Sequence, residues 1–145
     1  MFICTKNIFD TSARTVFLLA SALFALPSLA QEPGTAKPQL LITEVISGMP
    51  RSEKQEVRVL TANLKPGDKT PFHTHRFPVT VYIVEGVFTL EMEGREPVTL
   101  KAGQSFVEPP NVKMTGSNRS VDSPMKVVIF YVSDPNTPFL DPVVK

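Results

Sequence analysis

The chain is short of the residues that carry most recognisable chemistry. Among its 145 residues there is one cysteine, there are two histidines, and there is no tryptophan. A lone cysteine, Cys4, forms no disulfide within the chain and leaves no CxxC redox or zinc motif. Fifteen basic residues face 14 acidic ones. That balance gives no field to steer nucleic acid or anionic lipid. The longest apolar run, Val16 to Leu26, has 11 residues with Ser21 inside it. A membrane span needs about 20. GxSxG, Walker and GxGxxG patterns are absent, as is any fixed-period repeat.

What is present divides near residue 30. Lys6 and Arg14 give a weakly positive start, the apolar run follows, and Ser28-Leu29-Ala30 puts small residues at the minus-three and minus-one positions of a cut before Gln31. This is the layout of a secretory signal peptide, expected over 1–30. Its removal takes Cys4, two basic residues and Asp10, and leaves 13 charges of each sign. No later cysteine can carry a lipid. The expectation is an exported protein, periplasmic or secreted, that binds neither nucleic acid nor, after cleavage, a membrane.

Residues 31–39 are polar and proline-bearing and read as a flexible lead-in. From Leu40 short β-prone runs alternate with turns. Strands are expected at Leu40–Ser47, Val57–Leu64, Val79–Glu85, Phe88–Glu93, Val98–Lys101, Ser105–Glu108, Val112–Thr115 and Lys126–Ser133. Turn chemistry such as Pro66-Gly67-Asp68, Glu93-Gly94-Arg95 and Pro109-Pro110-Asn111 separates them. No window shows a helical apolar stripe, so the fold expected is an all-β sandwich or barrel over 40–133. A proline-rich tail, 134–145, is expected to lie extended over it, anchored by Phe139 and Leu140. Val127 to Val132 is apolar on both faces and therefore needs cover on both. In a domain of this size a second subunit often gives that cover, which predicts a homodimer.

Both histidines lie in one motif, His73-Thr74-His75. Alternate residues of a strand share a face, so both imidazoles point the same way. Gly67 precedes the motif by five intervening residues. Gly86 ends the run after it, Gly103 follows, and then come Pro109-Pro110, Asn111 and Asn118. The stretch from Gly67 to Asn118 resembles the two motifs of the cupin superfamily, G-x5-H-x-H-x3-4-E-x6-G and G-x5-P-x-G-x2-H-x3-N. The resemblance implies a small double-stranded β-helix, the jelly-roll barrel. It also implies a divalent metal held by two histidines and a glutamate of the first motif and a histidine of the second.

Here His73 and His75 stand at the two histidine positions, but Val79 stands at the glutamate and Met114 at the second-motif histidine. Asn111 replaces a glycine and tolerates the positive φ required there. Two imidazoles alone would hold Fe, Mn, Ni or Zn weakly. With Met114 as a third, soft ligand the set His73, His75 and Met114 favours copper. Alternatively Met114 only fills the gap left by the imidazole, and no metal is held. Phe77, Val79, Val81, Ile83 and Val112 are expected to line a pocket, Arg76 to grip an acidic ligand or else lie solvated in a loop, and Glu108, near a strand end, to sit at the surface or else reach the barrel mouth. Tyr82 is expected outside the barrel, and Glu91 and Glu93 toward solvent.

Three functions follow. The first is an exported barrel that binds a small molecule, a metal ion, or both, through His73 and His75. The second is an enzyme, either a metal-dependent dioxygenase-like cupin or a metal-free lyase or isomerase with His75 as general base. The third is a non-catalytic dimeric barrel. Fold membership does not separate them, because cupins host many activities.

Overall fold

The computed structural model describes residues 34–144; the expected signal segment lies outside the described residues. It contains nine strands and, among the described residues, no helix. They are β1 (Glu56–Leu64), β2 (His73–Thr74), β3 (Val79–Glu85), β4 (Val87–Met92), β5 (Val98–Lys101), β6 (Ser105–Glu108), β7 (Met114–Ser117), β8 (Met125–Ser133) and β9 (Asp141–Pro142). Two sheets form, in the orders β1-β8-β3-β6 and β5-β4-β7-β2-β9, and every pair is antiparallel. The all-β jelly roll expected from the sequence is what the chain adopts.

Alternation sets which face is buried. On β3, Val79, Val81 and Ile83 point inward and are almost completely buried, while Thr80 and Tyr82 point out. On β8, Val127 and Tyr131 are buried with Met125, whereas Phe130 is exposed. β4 adds Phe88, Leu90 and Met92 from the facing sheet. Burying each such side chain stabilises the fold by about 1.5–3 kcal/mol.

Two expectations about elements fail. Leu40–Ser47 forms no strand, and Leu40, Leu41 and Val45 are exposed. β-prone residues there pair with no strand, so propensity alone does not make one. The strand expected at Val112–Thr115 starts two residues later, because Asn111 turns the chain in the left-handed region at φ 60°.

The motif termini serve as a latch. The Gly67 amide donates to the Asn118 carbonyl and the Asn118 amide to the Asp68 carbonyl, both at 3.0 Å. The buried Asn118 side chain donates to the carbonyls of Leu64 (3.1 Å) and Ser123 (2.8 Å). It is therefore a structural tie and not an exposed acceptor for modification, although Asn118-Arg119-Ser120 matches a glycosylation sequon.

Candidate functional site

His73 opens β2 and pairs with Met114 of β7 on one side and Pro142 of β9 on the other. His75 follows just past β2. Both rings are buried, at 5% and 1% exposure. Their Nε2 atoms meet at 3.1 Å, with the rings edge to face. Each Nδ1 lies 2.7 Å from a backbone carbonyl, His73 from that of Pro71 and His75 from that of Phe139. A carbonyl only accepts, so both Nδ1 atoms carry the hydrogen and donate it. In the neutral rings both Nε2 atoms then present lone pairs to each other. Burial pushes the His73 pKa below its ordinary 6.5, partly opposed by the Pro71 carbonyl.

A carboxylate completes the cluster. Glu108, at the end of β6, is 5% exposed, and its Oε2 lies 3.3 Å from His75 Nε2. The surface position expected for Glu108 is thus corrected. Glu108 is the direct cross-strand partner of Val79 on β3, and such partners share a face. Val79 points into the barrel, and so does Glu108. The signal was legible: Glu108 closes a four-residue strand whose partner is the inward run of β3.

These polar groups stand at one wall of a cavity of about 100 Å³. Its remaining lining is almost wholly apolar and includes Leu64, Phe88, Leu90, Val127, Ile129 and Leu140. Of the five residues expected to line it, only Val81 does. Val79 and Ile83 lie at the two ends of the same inward row and are sealed into the core at 0% exposure. Phe77 and Val112 pack against the core from its margin. Met114 is fully buried and shares a sheet face with its partners His73 and Met92, yet it does not line the cavity.

The C-terminal segment covers the histidines. β9 pairs with β2, the Val143 amide donates to the Phe72 carbonyl (2.8 Å), and the Phe139 ring packs on His75 with centroids 4.9 Å apart. Arg76 forks onto Asp141 through Nε (2.8 Å) and Nη2 (2.9 Å). The expectation that Arg76 grips a ligand is corrected: its guanidinium is committed to this tail carboxylate and lies outside the cavity lining. Arg76 in turn holds the Asp141 carboxyl below its usual value. Nearby, the buried Tyr131 hydroxyl has the Phe77 backbone as a neighbour but makes no hydrogen bond of ordinary geometry.

A family model for the cupin domain matches residues 60–131. The chain belongs to the cupin superfamily. Its fold is similar to that of a cupin-like protein from Thermotoga maritima at 18% identity, covering 60% of this chain and 64% of that one with a TM-score of 0.53. It is also similar to the DMSP lyase DddQ from Ruegeria pomeroyi at 24% identity, covering 61% and 43% with a TM-score of 0.51. A third likeness is to a protein with a double-stranded β-helix domain from Klebsiella pneumoniae, at 20% identity, 70% and 90% coverage and a TM-score of 0.53. The chain spans less than two thirds of the first two proteins, and at these identities the likeness concerns the fold. No curated protein matches the sequence significantly.

A cupin metal requires nitrogen and oxygen donors aimed at one point. His73 and His75 meet that need, with free Nε2 lone pairs and Nδ1 hydrogens tied back to carbonyls, the outer-shell arrangement that orients metal-binding imidazoles. At the other two motif positions Val79 has no donor and Met114 only a thioether. Among the described residues no three His, Cys, Asp or Glu side chains form a ready-made cage. The contacts run in a row, His73 to His75 to Glu108.

Proposed function

We propose that this cupin is an exported binding protein that takes one small molecule into the barrel, with His73 and His75 as its polar anchor. The observation that carries the reading is an apolar cavity of about 100 Å³ with two imidazole acceptors and a carboxylate on one wall. Drug-sized ligands occupy roughly 300–1,000 Å³, and a cavity of about 150 Å³ admits benzene. The occupant is therefore a compact molecule of a few non-hydrogen atoms. Because the polar wall consists of acceptors, it favours a ligand with an apolar body and a hydrogen-bond donor, and Glu108 disfavours an anion.

Short-chain alcohols such as propan-2-ol, followed by methyl NMR, test this. The methyl resonances of Val81, Leu90 and Val127 should shift on titration. A His73→Ala/His75→Ala double variant should lose the preference for an alcohol over an alkane of the same shape. Unmoved methyl resonances with every probe would overturn the proposal. The Nε2 lone pairs also favour a second reading, a lyase or isomerase in which His75 takes a proton from the bound molecule. Recovery of the ligand unchanged after long incubation rejects that reading.

The sequence supports export, through its apolar run and small-residue cleavage pattern. Self-association of the barrel is supported by the outer face of β1 and β8, where Val57, Val59 and Phe130 are 70%, 61% and 45% exposed.

A further inference from the structure

The wall of the cavity is uneven in strength. Ala62, Leu64, Val127 and Ile129 belong to the nine-residue ladder of β1 and β8, which opens only with the fold. The turn that carries Thr70 and Pro71 is bolted to β7. There the Thr70 amide donates to the Gly116 carbonyl (2.8 Å), and the Gly116 amide donates to Thr70 Oγ1 (2.9 Å). Phe139 and Leu140 complete the wall from a different kind of segment. The β9 strand that follows them has two residues and, among the described residues, one neighbour, β2. Moving it away separates no other pair of strands.

The root of this segment is fixed and its remainder is not. Asn136 turns the chain at φ 61°, and its amide donates to the Glu56 carboxylate (3.3 Å). Arg58 Nη2 donates to the Thr137 carbonyl (2.7 Å). Both anchors lie on β1. Beyond Thr137 the hold comes from the Phe139 contacts, the short β2 pairing and the Arg76–Asp141 fork. The two side chains of the fork are 54% and 36% exposed, so water competes with it and it adds little. We propose that residues 138–144 form a releasable strap, hinged after Thr137, whose opening is the route into the histidine cavity. The proposal takes from the preceding reading only that molecules enter the cavity from outside. Opening also acts on His75. Its Nδ1 loses the Phe139 carbonyl, and the Phe139 ring leaves both His75 and Tyr131. The same movement thus uncovers the imidazole and frees it to turn toward an incoming molecule.

Both histidines of the chain line this cavity, so acylation of histidine reports its opening. Diethyl pyrocarbonate, which acylates unprotonated imidazole, is applied to the mature chain, and modified histidine is read by peptide mass. Thr74 and Asp141 are directly opposite partners on β2 and β9. Cα atoms of such partners stand about 4.5–5.5 Å apart, within the roughly 4.4–6.8 Å that a disulfide spans. The mature sequence has no cysteine of its own to interfere. Oxidised Thr74→Cys/Asp141→Cys should be acylated at least tenfold more slowly than wild type, and reduction should raise it to at least the wild-type rate. Asp141→Asn, which undoes the fork without a crosslink, should react at least threefold faster than wild type. With the strap locked, propan-2-ol should shift the methyl resonances of Val81, Leu90 and Val127 correspondingly more slowly. Equal acylation of the oxidised and reduced forms overturns the proposal and puts the entrance elsewhere in the wall. Histidines that stay unmodified in wild type, Asp141→Asn and the reduced form overturn it as well, since the strap then never opens. Acylation that depends on the lock, without any propan-2-ol shift, upholds the strap and rejects the small-molecule reading.

Discussion

At the scale of single residues, burial turns ordinary side chains into committed ones. His73 is charged with difficulty in the folded chain, since burial disfavours its cation. Its folded pKa lies below 6.5, so between the two values the unfolded chain binds more protons than the folded one. Its contribution to stability is complete above pH 6.5 and is lost as pH falls through the folded pKa. Urea midpoints of the metal-free protein should therefore decline on acidification below that point, and the decline should be shallower in His73→Asn. Asn118 is committed differently. Replacing it by Ala strands the carbonyls of Leu64 and Ser123, a loss of about 2–4 kcal/mol measurable by urea denaturation. Gly116 has its own constraint, since a Cβ there would run into the Phe88 ring. Gly116→Ala should cost about 1–3 kcal/mol by the same measurement, as overpacking does.

At the scale of elements, the short β9 closes the site although it is only two residues long. Its hold depends on the Arg76–Asp141 fork and on the Phe139 carbonyl that fixes the His75 tautomer. The Asp141 carboxyl titrates below its usual 3.8 because Arg76 hydrogen-bonds its ionised form. The fork is complete above that pH and is lost as pH falls through the lowered value. Asp141→Asn should reproduce the loss at neutral pH, seen as faster amide exchange at Thr74 and Val143, while β1 and β8 exchange as in wild type. Unchanged exchange would mean that strand pairing and Phe139 hold the tail without the charges.

At the scale of the whole molecule, one sheet leaves its outer face apolar. Val57, Val59 and Phe130 alternate with inward residues on β1 and β8, and Val59 pairs directly with Phe130. A stripe of that kind across an edge strand and its neighbour invites a partner. If the partner is a second copy, sedimentation of the mature chain gives a dimer and Val59→Lys gives a monomer with the same circular dichroism. A monomeric wild type would assign the stripe to another partner or to solvent.

Much of this molecule is local and therefore written in the order of its residues. The two-residue alternation of β3 and β8 determined which side chains face inward, and the turn residues determined where strands stop. His73 and His75 share a face because a strand repeats every two residues. The exceptions share one cause. Leu40–Ser47 has strand-forming residues but joins neither sheet. Arg76 follows the histidines but finds Asp141, 65 positions away. Glu108 looks like a surface carboxylate until β6 is laid beside β3, which aims it at His75. Pairing partners, register and closure by the tail are contacts between distant positions, and only the folded chain decides them.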